Sequence, residues 1–135
     1  MHLKQVCIFP QKFPAHDRYP FNLDIFSQPR IVDVHCPVTF FVGENGTGKS
    51  TLLQAICHRC GIYIWRGDRR ARFQYNPLEA QFIIATHSPI LLACPEARIY
   101  RFSPSSLEQI DYEETEHFQV YRSFMLDPNK YLQDL

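Results

Sequence analysis

The chain has 135 residues and balances 14 basic against 14 acidic side chains, so its formal charge of +0 supplies no global field that would draw it onto nucleic acid or an anionic membrane. That length suits one domain, residues 1–135, and a content of 45% apolar and 14% aromatic residues excludes a disordered chain. No apolar run reaches membrane-spanning length and no signal-peptide core follows Met1, which leads to the expectation of a cytoplasmic protein with no membrane partner.

Leu3 to Phe9 mixes β-branched and polar residues and reads as a strand ending at Pro10, after which prolines at 10, 14 and 20 make an extended loop. The apolar patch Phe21 to Phe26 is too short and irregular to assign. After Pro37, the run Val38, Phe40, Phe41, Val42 has the look of a strand covered on both faces. Ser50 to Cys60 then reads as a helix, because Leu52, Ile56 and Cys60, with Leu53 and Cys57, recur at spacings of four. Gly61 stands where a left-handed cap would end it.

Ile62 to Trp65 is compatible with a further strand, followed by Arg66, Arg69, Arg70 and Arg72. Phe82 to Ala85 is a short, fully apolar run of the kind found in interior parallel strands. Ser88-Pro89 is a good helix opening, with a hydroxyl to cap and proline at the first helical position, and Pro95 closes that helix. Arg98 to Phe102 and Gln109 to Tyr112 read as strands around the turn Ser103 to Ser106. Thr115 to Met125 would be a helix with Phe118, Tyr121 and Met125 on one face, and Asp127-Pro128 starts a final short one. The order predicts an α/β fold with a mostly parallel central sheet flanked by helices.

The five cysteines are odd in number and scattered, which fits reduced thiols. Cys57 and Cys60 have the spacing of half a zinc site or a redox pair; the plainer reading places both on the buried side of a helix.

Gly43-Glu44-Asn45-Gly46-Thr47-Gly48-Lys49-Ser50 fits the Walker A pattern, between an apolar strand and an amphipathic helix. Its glycines let successive N–H groups turn inward to cradle phosphate oxygens, and the helix start adds its positive end. Lys49 would place a charge on the β- and γ-phosphates, Ser50 would be a magnesium ligand, and Thr51 would sit beside the α-phosphate. The ligand expected is ATP or GTP with magnesium; the alternative is a glycine-rich turn followed by an accidental Lys-Ser. Tyr19 and Phe21 are candidate adenine-stacking rings.

Val38-Thr39-Phe40-Phe41-Val42-Gly43-Glu44-Asn45-Gly46 and Gln81-Phe82-Ile83-Ile84-Ala85-Thr86-His87-Ser88-Pro89 together resemble the bacterial AAA-family ATPases with an ABC-type head, relatives of the RecF and SMC heads. Ile110 to Phe118 is similar to the tail of the same small proteins. The resemblance implies a P-loop NTPase fold, ATP with Mg2+ as ligands, and a catalytic role for His87 as the switch histidine that reaches the γ-phosphate and attacking water. The plainer reading of His87 is a capping or core histidine at a strand end.

The middle departs from that family. Ser50 and His87 lie 37 positions apart (87 − 50), where the family carries its Q-loop, signature motif and Walker B strand. Asp68 and Glu79 are the carboxylates between Thr51 and Thr86, and neither ends an apolar run. An internal deletion with its junction near residues 76–81 accounts for this and predicts binding with weak or absent hydrolysis, because catalysis needs carboxylates to hold the metal and orient water. The ABC-type signature of one subunit completes its partner's site, so a homodimer would be incomplete. Two rivals remain: a non-catalytic binding module for a partner protein or nucleic acid, with Trp65, Phe73 and Tyr75 stacking bases among the arginines, and a small P-loop kinase using the arginines as a clamp.

Overall fold

A computed structural model of the chain describes residues 2–61 and 81–132. Strand β1 (Gln5–Ile8) pairs antiparallel with β2 (Arg30–Asp33), forming a two-stranded ribbon. The larger sheet among the described residues holds β3 (Val38–Gly43), β4 (Phe82–Ala85), β5 (Arg98–Phe102) and β6 (Leu107–Ile110) in the order β4-β3-β5-β6. Strand β3 runs parallel to both β4 and β5, while β5 and β6 are antiparallel. The sheet is therefore mixed, with its parallel pairs around β3, as an α/β architecture requires.

Alternation along the strands sorts the core onto two faces. Phe41, Tyr100 and Phe102 point to the side covered by α1 (Lys49–Cys60) and the ribbon, where they meet Val32, Leu52 and Ile56. Phe40, Val42 and Ile99 point the other way, toward Leu92 of α2 (Pro89–Leu92) and Ile110. Phe40 and Phe41 are 2% and 0% exposed, so β3 is covered on both faces as its unbroken apolar run implies. Helix α3 (Glu116–Leu126) and α4 (Asn129–Leu132) follow β6.

Four expectations change. Phe82 to Ala85 forms a parallel strand but lies at the sheet's edge among the described residues, with Phe82 43% exposed. Strand β6 is Leu107–Ile110 rather than 109 to 112, because Asp111 and Glu114 cap each other reciprocally and pull Tyr112–Glu114 into a 3-10 turn. The α3 face is not buried: Phe118 packs edge-on against Tyr112 at 4.8 Å between ring centroids, whereas Tyr121 and Met125 are 58% and 75% exposed. Strand β2 lies in a stretch assigned to no element, although Ile31, Val32 and Val34 carry the β-branched signal.

Gly61 ends α1 in the left-handed region at φ 67°, its N–H donating to carbonyls of the last turn. Ser88 caps α2 by accepting the Leu91 N–H, with Pro89 at the first position. The strand expected at 62 to 65, the arginines at 66, 69, 70 and 72, the aromatic residues Trp65, Phe73 and Tyr75, and nearly all of the 76–81 junction lie outside the described residues.

Candidate functional site

Because β3 and β4 are parallel neighbours, their carboxyl ends finish at the same edge of the sheet, where α/β folds place ligands. From the end of β3 the chain turns through residues 44–48 into α1. Gly43 has φ +127°, and a Cβ there would lie 2.1 Å from the Phe102 carbonyl oxygen, so the loop must leave β3 hard against the end of β5. Gly48, the N-cap of α1, has φ +95°, with Phe26 3.0 Å and Ile25 3.3 Å from where a Cβ would stand. Both torsions favour glycine, and at Gly43 the backbone of Phe102 leaves no space for any side chain, whereas at Gly48 the Phe26 and Ile25 side chains would have to give way.

Thr47 folds the loop on itself by donating from Oγ1 to Glu44 O at 2.8 Å. Lys49 is buried, and its Nζ donates to Gly43 O at 2.6 Å and Glu44 O at 2.5 Å, with Thr47 Oγ1 at 3.5 Å. Burial pushes the lysine pKa below its ordinary value, with the Glu44 charge opposing the change. The ammonium therefore sits in the loop's own carbonyls, a desolvated cation beside the helix start. Leu52 N–H donates to Gly48 O at 2.9 Å, which leaves the N–H groups of Lys49, Ser50 and Thr51 as the open donors of the first turn. A positive helix end, free amides and a cation suit an anion with several oxygens.

The loop opens into a cleft of about 280 Å³ whose walls include Asn45, Gly46, Lys49, Ser50, Thr51 and His87. Ser50 is exposed at the cleft, the position from which a hydroxyl could reach a bound cation. No carboxylate lines the cleft among the described residues. Tyr19 also lines it; its hydroxyl meets Thr51 Oγ1 at 3.0 Å and its ring is 70% exposed, which leaves an aromatic face open beside the first turn of α1. Phe21 instead packs on Phe13, at 5.1 Å between ring centroids.

His87 follows β4 and is exposed, not a core histidine. Its Nδ1 lies 3.1 Å from Nε2 of His117, the second residue of α3, with ring centroids 5.2 Å apart. His117 is half-buried, and its Nδ1 is buried with no hydrogen-bond partner among the described residues. Burial, then the neighbouring His87, holds the His117 pKa below its ordinary value, with Glu116 pulling upward and Lys49 adding a smaller depression. His87, His117, Glu44 and Glu116 also line a second hollow of about 280 Å³, so His87 stands between the loop's cleft and this neighbour.

The expected site residues Gly43 to Thr51 and His87 thus share one edge of the sheet. Sequence reasoning singled out neither His117 nor its pairing with His87, since residues 30 apart leave no spacing signal. Cys57 is half-buried and Cys60 exposed, so they do not both line a buried face, and no group of three metal-ligating side chains occurs among the described residues. A separate cavity of about 540 Å³ lies between β1 and α1 and is mainly apolar, with Val6, Ile8, Phe13 and Ile56 in its walls.

A family model described as AAA domain matches residues 21–115, well over half of the chain and all of the stretch from Phe21 through the loop and His87 to Thr115. No curated protein and no solved structure matches the chain. Among the described residues, no helix is long and apolar enough to cross a membrane. With a glycine-rich loop between β3 and α1 and this match across it, the chain belongs to the AAA domain family, the AAA-type ATPases.

Proposed function

We propose that the protein binds ATP with magnesium through the loop Gly43-Glu44-Asn45-Gly46-Thr47-Gly48-Lys49-Ser50 and Thr51, as a reduced form of the ABC-type head of RecF- and SMC-like ATPases, and that alone it hydrolyses ATP weakly or not at all. The observation that carries this reading is the buried Lys49 ammonium, held 2.6 Å from Gly43 O at the open start of α1. A triphosphate tail would exchange those carbonyl contacts for charged ones. His87 lines the same cleft, which supports its role as the γ-phosphate switch, and the exposed Tyr19 ring offers a stacking face for a base.

The donor set fits magnesium only in part: Ser50 offers a hydroxyl, while no carboxylate lines the cleft among the described residues. Bound magnesium would supply charge neutralisation between phosphate oxygens, and Ser50 would be its protein ligand, with water completing the shell. Because no acidic group lines the cleft among the described residues to orient the attacking water, the cleft supports binding better than turnover. This agrees with a single domain, 1–135, that has lost the Q-loop, signature and Walker B block at a junction near 76–81. A longer relative matching both flanks with an intervening block would support the deletion.

Titration of the full chain with a fluorescent ATP analogue, with and without magnesium, alongside a phosphate-release assay, tests this reading. Saturable magnesium-dependent binding that Lys49→Ala abolishes is expected, with little phosphate release. Ordinary ATPase turnover lost in the Lys49→Ala protein would overturn the non-catalytic half.

A second reading, in which nucleotide orders a surface for a partner protein, is favoured by one observation. Ile90 on α2 and Met125 and Leu126 on α3 are 84%, 75% and 77% exposed, on two helices that touch each other, which is apolar surface that a partner could cover. Light scattering with and without ATP tests it: growth in mass on adding ATP supports this reading, and an unchanged monomer in both states counts against a homodimer.

A further inference from the structure

Every hydrogen bond between two neutral imidazoles holds one proton, and the contact between His87 Nδ1 and His117 Nε2 at 3.1 Å admits two arrangements. In one, His87 Nδ1–H donates; His117 must then carry its own proton on Nδ1, the atom that is buried without a partner among the described residues. In the other, His117 Nε2–H donates, leaving only a bare lone pair at that buried atom and placing the His87 proton on Nε2. Orphaned buried N–H groups are rarer than under-satisfied acceptors, so the second arrangement prevails. The doubly protonated form of His117 is disfavoured first by its burial and then by the neighbouring His87, with Glu116 pulling the other way and Lys49 adding a smaller depression.

We propose that His117 is a positioning residue that donates from Nε2 to His87 Nδ1 and so fixes His87 as the Nε2–H tautomer, presenting a hydrogen-bond donor rather than a base to the phosphate cleft. The pairing is intrinsic to the fold, whereas its use on a γ-phosphate rests on the nucleotide reading above. Thr115 holds α3 in place for it: this residue is 1% exposed, accepts from Phe118 N–H at 3.2 Å and donates to Tyr112 O at 2.7 Å. A His87 in this state can read a phosphate oxygen but cannot take a proton from water, because its free nitrogen already carries one.

The full chain with 15N-labelled histidine tests the pairing by NMR. Expected is a one-bond N–H coupling at His117 Nε2, a coupling across the bond to His87 Nδ1, and a lone-pair nitrogen shift at His117 Nδ1. A proton found on His117 Nδ1, or no coupling between the rings, would overturn the assignment whatever the nucleotide does. For the functional half, the ATP-to-ADP affinity ratio should fall about three-fold in His117→Leu, the effect of one exposed hydrogen bond, should fall no further in the double variant with His87→Ala, and should survive in His117→Gln, which retains an amide donor. An unchanged ratio in His117→Leu would sink that half. Failure of the wild-type chain to bind either nucleotide would instead remove the nucleotide reading and the phosphate role with it, while the NMR result still decides the proton's place.

Discussion

The side-chain amide of Gln81 pairs with the backbone of Leu3 as a strand would: Oε1 accepts the Leu3 N–H at 2.9 Å and Nε2 donates to the Leu3 carbonyl at 2.8 Å. The same Nε2 donates to Val34 O and lies 3.3 Å from Cys36 O. One side chain at the entrance to β4 thus ties together the segment that leads into β1 and the segment between β2 and β3.

Gln81→Glu replaces that donor with a carboxylate facing three carbonyl oxygens, and should cost about 2–3 kcal/mol, the loss expected when polar groups are left facing one another unpaired. Urea unfolding near neutral pH reads the loss, which should shrink as acid protonates the new carboxyl. A Glu variant as stable as the parent would mean that the clasp is not formed.

The three loop glycines should rank by the space around them. Gly43→Ala drives a methyl into the Phe102 carbonyl at 2.1 Å, so it should disrupt the β3–β5 pairing and be the most damaging. Gly48→Ala meets Phe26 and Ile25 at 3.0 Å and 3.3 Å and should be intermediate. Gly46→Ala has φ +83° but nothing within 4 Å of the new atom, leaving only the left-handed backbone cost of about 1–2 kcal/mol. Thermal unfolding of the three proteins checks the order.

Lys49→Ala should weaken binding of the fluorescent ATP analogue at least about 100-fold, since it removes the cation buried in the loop and a charge-assisted contact to phosphate. His87→Ala, at an exposed position, should weaken it only about three-fold. Equal losses in the two variants would contradict the roles given to them.

Asp33 is held below its ordinary 3.8, at about 2, chiefly by the Arg98 guanidinium at 2.6 Å and then by His35 at 2.5 Å. A depressed carboxyl stabilises the fold above pH 3.8 and loses that contribution as pH falls toward 2. The wild type should therefore lose more stability between pH 5 and about 2 than Asp33→Asn does, as denaturant midpoints across that range would register. Identical acid profiles would show that the pair contributes nothing. The Tyr100 hydroxyl, bonded to both Asp33 N–H at 3.1 Å and Asp33 O at 2.9 Å, should keep β2 joined to β5 in either protein.

How far the sequence could be read differs by element. Arg98–Phe102 is the strand expected, and Val38 to Val42 the buried one, because an unbroken apolar run can be satisfied only by cover on both faces. The cap chemistry of Ser88-Pro89 and Gly61 was equally legible, being a matter of local torsions and donors. The exposure of Phe82, Tyr121 and Met125 was not, since periodicity marks a face without saying what is packed against it.

The sequence alone determined the glycine-rich loop, its lysine and its seat between a strand and a helix, because those depend on residues adjacent in the chain. Only the tertiary structure decided that β4 lies parallel beside β3, bringing His87 to the loop's edge, that Tyr19 lines the same cleft, and that His117 meets His87. Such meetings depend on strand order and helix packing, which are set by burial across the whole core and leave no local spacing to read.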